Sequence, residues 1–201
     1  MQTAISRKLI LGSTSPYRRE LLTRLRVPFE VCSPGVDETP LPGELPLALA
    51  VRLALAKAKA VARRFPGCVV IGSDQVADLD GLSLGKPGNH ARAVQQLQEM
   101  RGKTVVFQTA VAVVCAESGF TAQDVAPVSV QFRTLTDAEI EHYLRAETPY
   151  DCAGSAKSEG LGIALLEKIE SDDPTALVGL PLIRTAAMLR AAGIPLLGST
   201  P

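Results

Sequence analysis

Residues 8–22 have the sequence KLILGSTSPYRRELL, which divides into an apolar run, a turn of small residues and an amphipathic segment. The apolar run ends at Gly12 and predicts a buried strand. Ser15 is a favourable N-cap and Pro16 fits the first helical position, so a helix is expected to begin there. Leucines at helical spacing after Pro16 supply an apolar face for that helix. The segment therefore predicts a strand–turn–helix unit.

The rest of the chain intermixes β and α patterns. Residues 68–71 are apolar and β-branched, as expected of a buried strand, and this strand is expected to leave the sheet at Gly72-Ser73-Asp74-Gln75. Asp80-Gly81 predicts a hairpin turn. Because hairpins interrupt the βα order, the pattern favours an α/β fold with a mixed sheet over a purely parallel doubly wound sheet. We expect one domain over residues 1–201. Further strands are predicted at 27–32, 104–115, 125–133 and 163–169, and helices at 45–65, 89–100, 136–147 and 181–192.

Composition excludes several classes of partner. The 21 basic and 21 acidic residues cancel, and the pI is near 6.7, so no global attraction to a nucleic-acid polymer or an anionic membrane is expected. The chain has no Trp, which argues against a base-stacking surface. No apolar stretch is long enough to span a bilayer, and residues 1–8 lack the apolar core of a signal peptide.

The numbers and positions of the histidines and cysteines argue against a histidine-rich metal site and against disulfide bonds. There are only two histidines, which disfavours a histidine-rich metal site, and His90 is expected to be a solvated side chain on a helix. A reactive thiol at Cys152, in a loop of small residues, is the less favoured alternative to an inert one. Reduced core thiols without a C-x-x-C pair suit the cytoplasm, and we expect this of all four cysteines, Cys32, Cys68, Cys115 and Cys152.

Residues 13–19 form a candidate anion site. A helix N-terminus presents unpaired N–H groups and partial positive charge, which attract phosphate. Arg18 and Arg19 fall in the first turn, where cations oppose the helix dipole unless an anion is bound. Solvated surface arginines are the alternative, and the motif alone does not choose between them.

Three further residues could bind or activate a phosphorylated ligand. Asp74 follows a predicted strand, where a carboxylate can hold a divalent ion or accept a proton from water. Glu38, beside Asp37 in a Pro/Gly-flanked loop, could complete an oxygen site for Mg²⁺ or Mn²⁺. Lys86, in Gly85-Lys86-Pro87, could place its ammonium on a phosphate. A turn-forming Asp74, a solvated acidic loop and a surface lysine are the respective alternatives.

The Gly/Ser-rich loop at 151–160 is the last candidate. Small residues let the backbone approach a ligand closely, and Lys157 and Glu159 would be the polar groups that contact it. No P-loop, G-x-G-x-x-G or G-x-S-x-G motif is present. The residues alone therefore predict an α/β cleft that contains carboxylates and hydrogen-bond donors able to bind phosphate.

Taken together, the motifs resemble the Maf family of nucleotide pyrophosphatases, from Leu9 to about Leu197. Each motif is weak alone, but their order and spacing are highly specific. The matching segments are LILGSTSPYRRELL at 9–22, VDE at 36–38, AKAKA at 56–60, GSDQ at 72–75, GKP at 85–87, CAG at 152–154 and PTALVGLP at 174–181.

The resemblance implies a fold and a chemistry. It implies an elongated mixed β-sheet with flanking helices and two lobes around a central cleft, in a cytoplasmic homodimer. It also implies a metal-dependent enzyme that splits a nucleoside triphosphate into the monophosphate and pyrophosphate and so clears modified nucleotides. Asp74 matches the proton acceptor, and Asp74 with Glu38 would hold Mg²⁺ or Mn²⁺. The polar cleft positions it implies for phosphate are Ser13, Arg18, Lys57 and Lys86.

Three positions favour one branch of the family. Members that act on dTTP or UTP usually carry Arg, Thr and Gln where this chain has Tyr17, Gln75 and Glu159. The set found here resembles the branch that acts on 7-methyl-GTP, although tryptophan is also familiar at the Tyr17 position. The alternatives are a dTTP/UTP or other modified-nucleotide pyrophosphatase, a phosphatase that releases orthophosphate, and a non-enzymatic nucleotide-binding regulator of cell division.

Overall fold

The computed structural model describes residues 7–197, so the expected absence of a signal peptide concerns a segment almost wholly outside the described residues. Along the described residues the chain forms, in order, β1 (Leu9–Leu11), α1 (Pro16–Thr23), β2 (Phe29–Val31), α2 (Pro46–Arg64), β3 (Val69–Leu79), β4 (Leu82–Leu84), α3 (His90–Met100), β5 (Thr104–Cys115), β6 (Phe120–Phe132), α4 (Asp137–Glu147), β7 (Leu166–Glu170) and α5 (Leu182–Ala191). Short 3₁₀ turns lie at Ala153–Ser155, Leu161–Leu165 and Ala176–Val178.

Helices α1, α3 and α4 begin at the side-chain caps that the sequence predicts. The Ser15 side chain accepts a hydrogen bond from the Arg18 N–H at the start of α1. Asn89 caps α3 in the same way. Thr136 and Glu139 form the reciprocal capping box that begins α4. These local bonds satisfy N–H donors that have no partner within the helix, and they fix the residue at which each of these three helices begins.

The mixed sheet is confirmed, with strand order β2-β1-β3-β5-β6-β7 and β4 paired to β3. β1 pairs in parallel with both β2 and β3, whereas the remaining pairs are antiparallel. The α1 crossover runs outward to β2 and the α2 crossover returns past β1 to β3. Because such crossovers are right-handed, the two helices pack on opposite faces of the sheet.

The buried residues divide the protein into two lobes. In one lobe Leu9, Leu11 and Ile71 pack with α1 and α5, whereas Ile10 and Val70 face α2 on the other side of the sheet. The second lobe has its own core, in which the far halves of β3, β5 and β6 pack against α3 and α4. The long strands β3, β5 and β6 run through both lobes.

A gap in one edge of β3 lies between the lobes. On that edge β1 pairs with residues 69–71 and β4 pairs with residues 77–79. Residues 72–76 therefore have no strand neighbour there within the described chain. On the other edge β5 pairs with β3 along residues 70–78. The predicted exit of the strand at Gly72 is wrong, since this pairing carries β3 on through the polar residues to Leu79.

Other sequence expectations need smaller corrections. β6 begins at Phe120 rather than 125, and the segment predicted as a strand at 163–169 is a 3₁₀ turn followed by β7. His90 is not a free solvated side chain, since its Nδ1 lies 2.9 Å from the Tyr150 hydroxyl and its Nε2 lies 2.8 Å from Glu141 Oε2. All four cysteines are free thiols, but of these only Cys115 is fully buried. Among residues 7–197 no helix has the length and apolarity needed to cross a membrane.

Candidate active site

Two adjoining cavities open at the gap in β3. The first, of about 300 Å³, lies beneath α2 and is called the α2 compartment. The second, of about 230 Å³, lies against the 151–160 loop and is called the loop compartment. Six residues line both cavities, so together they form one continuous cleft: Thr14, Ser15, Arg18, Gln75, Lys86 and Ala153.

Asp74 lies in the α2 compartment because α2 packs unusually close to β3. A Cβ at Gly72 would lie 2.3 Å from the backbone oxygen of Ala54 and 2.5 Å from the nitrogen of Ala58. Only glycine permits this approach, which brings the α2 side chain Lys57 directly over Asp74. Lys57 Nζ donates to Asp74 Oδ1 at 2.7 Å.

Lys57 joins two carboxylates. Its Nζ lies 2.7 Å from Asp74 Oδ1 and 2.8 Å from Glu38 Oε1. The Lys57 and Asp74 side chains are 5% and 9% exposed, so their charges are shielded from most of the solvent, while Glu38 on its loop is 57% exposed. Among described residues, hydrogen bonds to Asp74 reach Oδ1 only, which leaves Oδ2 for a water or a cation in the cleft.

Arg18 supplies half-buried positive charge at the junction of the compartments. Its Nε donates to the Gly179 carbonyl at 2.8 Å, which fixes the plane of the guanidinium. Burial lowers the pKa of Arg18, and attraction to Asp74 and Glu38 opposes that shift. A partly buried guanidinium with unused donors in a cleft is a strong binding group for phosphate oxygens.

The turn between β1 and α1 adds further anion-binding groups. The Ser13 side chain is 3% exposed, and its Oγ accepts a hydrogen bond from the Ser15 N–H at 3.1 Å. This bond holds the turn so that the N-terminus of α1 opens into the cleft. Lys86, an exposed residue, lines both compartments from the opposite side.

Tyr17 borders the loop compartment. Its hydroxyl donates to Asp151 Oδ1 at 3.4 Å and lies 3.8 Å from Cys152 Sγ. Burial, together with the neighbouring Cys152, Asp151 and Glu159, raises the pKa of Tyr17, so the phenol stays neutral and keeps its proton. The compartment thus combines an aromatic ring with the exposed carboxylates of Asp151 and Glu159.

Gln75 is held by its amide nitrogen. Nε2 lies 2.9 Å from Thr109 Oγ1, 3.0 Å from the Ala176 carbonyl and 2.9 Å from the Leu177 carbonyl. Carbonyl oxygens accept and never donate, so this end of the side chain must be the NH₂ group. Gln75 therefore has its acceptor, Oε1, to offer to the cleft.

The structure brings together in one cleft nine of the residues that the sequence put forward for the site. Each lines at least one compartment: Ser13, Tyr17, Arg18, Glu38, Lys57, Asp74, Gln75, Lys86 and Glu159. Lys157 is different, because its Nζ binds Glu147 at 2.6 Å and it lines neither cavity. This ion pair ties Lys157 to α4, so the structure does not support the expectation that Lys157 contacts a ligand.

Cys152 is a poor nucleophile. Burial is the main cause that raises its pKa to about 12, and the charges of Asp151 and Glu159 add to the effect. Since the thiolate is the reactive form, the thiol is inert near neutral pH. The raised pKa of Cys152 argues against the alternative of a reactive thiol in this loop.

Two polar residues at the site were missed by the sequence reasoning. Asp151 binds Tyr17, and its position at the start of the nominated loop was the available signal. Gln96 is buried behind the cleft and contacts Gly85 and Ser155. Its signal was a polar residue on the apolar face of α3, where an uncompensated amide would be costly.

Asp74 and Glu38 fit a divalent cation only as part of a shared site. Within residues 7–197, no three or more His, Cys, Asp or Glu side chains cluster so as to enclose a metal ion. Mg²⁺ sites on phosphorylated substrates use one or two carboxylates, with phosphate oxygens and waters as the other ligands. Two carboxylates in a cleft lined by phosphate-binding groups match that donor set.

Comparison with known proteins gives a consistent result. The profile of the family described as Maf-like protein matches residues 8–192. A 7-methyl-GTP pyrophosphatase of Albidiferax ferrireducens is 73% identical over 199 residues, which cover 99% of this chain and 100% of that protein. Proteins of the same name are 75% identical in Polaromonas sp., covering 96% of this chain and 89% of the relative, and 64% identical in Burkholderia pseudomallei, covering 96% and 91%.

Proposed function

The chain belongs to the Maf-like protein family, and we propose that it hydrolyses 7-methyl-GTP to 7-methyl-GMP and pyrophosphate. The observation that carries the proposal is the position of Asp74 in a cleft that also contains Arg18, Lys57 and Lys86 and is continuous with the loop compartment. The carboxylate and the three cations suit a triphosphate, and the adjoining loop compartment has room and polar groups for a purine base. Relatives named for this activity match almost the whole chain, which supports the same substrate.

The reaction begins with a water molecule near Asp74 Oδ2. Asp74 accepts a proton from this water while the water oxygen attacks the α-phosphorus. The bond from the α-phosphorus to the bridging oxygen breaks, and pyrophosphate leaves with that electron pair. Lys57 holds Asp74 Oδ1 in place throughout, because the ammonium lies 2.7 Å from it.

Positive charge in the cleft stabilises the triphosphate and the leaving group. Arg18 is fixed by Gly179, and Lys86 approaches from the facing turn, so the two cations bracket the phosphate chain. Ser13 and the N-terminus of α1 add neutral donors. Phosphoryl transfer depends mainly on such positioning and charge neutralisation.

Asp74 and Glu38 are the residues that would hold Mg²⁺ or Mn²⁺. A bound ion would supply further neutralisation of phosphate oxygens and polarise the phosphorus they surround. The exposed Glu38 can turn on its loop, while the buried Asp74 is fixed on β3.

The loop compartment suits a methylated guanine. N7-methylation gives the base a delocalised positive charge, and the Tyr17 ring face can stack on it with a cation–π contribution of roughly 0.5–2 kcal/mol. Glu159 can accept charge-assisted hydrogen bonds from the N–H edge of the base. Gln75 Oε1 offers another acceptor, because the amide nitrogen is already engaged.

The cellular setting is proposed on the same resemblance. We place the enzyme in the cytoplasm, where free thiols such as those of the four cysteines stay reduced. We expect a homodimer, which size-exclusion chromatography with light scattering will measure.

The deciding experiment is a nucleotide panel. Purified protein with Mg²⁺ or Mn²⁺ is given 7-methyl-GTP, GTP, dTTP and UTP, and the products are separated by chromatography. We expect pyrophosphate and 7-methyl-GMP, with 7-methyl-GTP preferred. A preference for dTTP or UTP would reassign the substrate. Orthophosphate as the first product would indicate a phosphatase, and nucleotide binding without turnover would indicate a regulator.

A further inference from the structure

A buried hydrogen-bond network connects the two compartments from behind. Gln96, 8% exposed on α3, donates from Nε2 to the Gly85 carbonyl at 3.1 Å. Its Oε1 accepts from the Ser155 hydroxyl at 2.6 Å. Gly85 directly precedes Lys86, and Ser155 lies in the loop that carries Glu159. One side chain thus contacts both segments that deliver charged groups to the cleft.

Ser155 is held from several directions. It is completely buried, and its φ of +56° is a left-handed conformation that a serine adopts only when its surroundings enforce it. Its carbonyl accepts from the Tyr143 hydroxyl at 3.1 Å, and the same hydroxyl accepts from the Lys157 N–H at 3.0 Å. Burial also raises the pKa of Tyr143, so this phenol remains a donor.

The network closes on one carbonyl oxygen. Gly85 O accepts from Gln96 Nε2 and from the Gly154 N–H, the latter at 3.3 Å. The Lys86 turn and the 151–160 loop therefore meet at Gly85. A shift of either segment would break a bond to a buried amide or hydroxyl, which has no solvent to replace it.

We infer that Gln96 and Ser155 are a buried positioning pair that sets the separation between Lys86 and Glu159 and thereby the preference for 7-methyl-GTP. Neither residue touches the substrate, and both act through the segments they hold. The inference rests on the proposed function, because it concerns how that site chooses its nucleotide. It goes beyond it by assigning part of the specificity to a helix outside the cleft.

The test is a double-mutant cycle with Gln96→Met, Ser155→Ala and the pair together. Each single variant leaves a buried polar group without its partner, so we expect a lower melting temperature. Gln96→Met also frees the turn, and the ratio of kcat/KM for 7-methyl-GTP to that for GTP should fall by about 10-fold, the equivalent of one hydrogen bond. The double variant removes both polar groups and should regain stability while its nucleotide ratio stays low.

The matched control is Gln95→Met, one residue away. Gln95 is exposed, and its side chain donates a hydrogen bond to Glu99 on the same helix, so its replacement should change neither the melting temperature nor the ratio. Hydrogen exchange provides a readout that does not depend on turnover. Amides of residues 151–160 should exchange faster in Gln96→Met than in Gln95→Met.

Three results would overturn the inference. One is a stable double variant with the wild-type ratio. Another is an equal fall in kcat/KM for every nucleotide, which would give the pair a purely structural role. The third is unchanged exchange of residues 151–160 in Gln96→Met. If the wild-type protein releases no pyrophosphate from 7-methyl-GTP, the proposed function fails, and the exchange comparison alone still decides whether the pair holds the loop.

Discussion

The two compartments are built in different ways. The α2 compartment takes its reactive groups from long regular elements: Asp74 from the middle of an eleven-residue strand and Lys57 from a nineteen-residue helix. The loop compartment takes Asp151 and Glu159 from an irregular segment fastened by side-chain hydrogen bonds. In the proposed function, the chemistry is thus attached to regular elements of the fold, and the choice of base to a loop held by a few side-chain bonds.

The largest expected effect concerns Asp74 in the α2 compartment. Asp74→Asn should lower turnover by about 10²–10⁴ for every nucleotide, since it removes the proton acceptor while leaving the loop compartment unchanged. Steady-state pyrophosphate release measures this, and nucleotide binding should persist. Asp80→Asn, on the exposed turn that follows β3, is the control and should have wild-type turnover. Near-normal turnover in Asp74→Asn would remove Asp74 from its role.

A second variant tests whether the ion pair is structural. Lys57→Met leaves Asp74 poorly solvated and without its cation, so the free energy of unfolding should fall by about 1–3 kcal/mol in urea titrations. Lys59→Met, on the exposed side of the same helix, should change it little. Combining Lys57→Met with Asp74→Asn should recover part of the loss. If Lys57→Met were as stable as Lys59→Met, the pair would contribute nothing to the fold.

Substitutions in the loop compartment should change which nucleotide is preferred more than they change turnover. Glu159→Gln removes one negative charge from the base site and should lower the 7-methyl-GTP to GTP ratio of kcat/KM by about 10-fold. Adding Tyr17→Arg and Gln75→Thr should move preference toward dTTP or UTP. Gln75→Thr will also cost stability, because it loses bonds to the Ala176 and Leu177 carbonyls. An unchanged ranking in the triple variant would dismiss these residues as specificity determinants.

The smallest effect concerns Cys152. With its pKa raised to about 12, the thiol should react with iodoacetamide at pH 8 far more slowly than in urea-unfolded protein, as followed by mass spectrometry of the peptide. Since the folded-state pKa lies above the unfolded one, alkylation should accelerate as the pH rises toward it. Fast modification at pH 8 would mean that the loop opens readily.

Local signals in the sequence predicted most of the fold. Ser15, Asn89 and Thr136 mark helix starts through bonds that span only three residues, which a sequence displays directly. The course of β3 past Gly72 was not predictable in this way. Its polar residues stay in the sheet because β5, more than thirty residues later, pairs with them. Such long-range pairing leaves no local mark.

The sequence placed residues in the cleft better than it predicted the contacts among them. The family resemblance placed Lys57 and Asp74 in the same cleft, but it did not predict the 2.7 Å bond between them. Lys157 was assigned to a ligand because a lysine in a loop gives no sign of its partner, which here is Glu147 on α4. Gln96 was overlooked since a single amide on a helix face does not say what it binds.

Neighbouring positions on β3 serve opposite faces of the sheet. Asp74 points to α2, and Gln75 points to the turn at Ala176–Val178. Because side chains alternate along a strand, inserting or deleting one residue at 69–73 would exchange these two roles. Redesign of this enzyme toward other nucleotides must therefore keep the length of β3 constant and proceed by substitution, with changes in chain length confined to the loops.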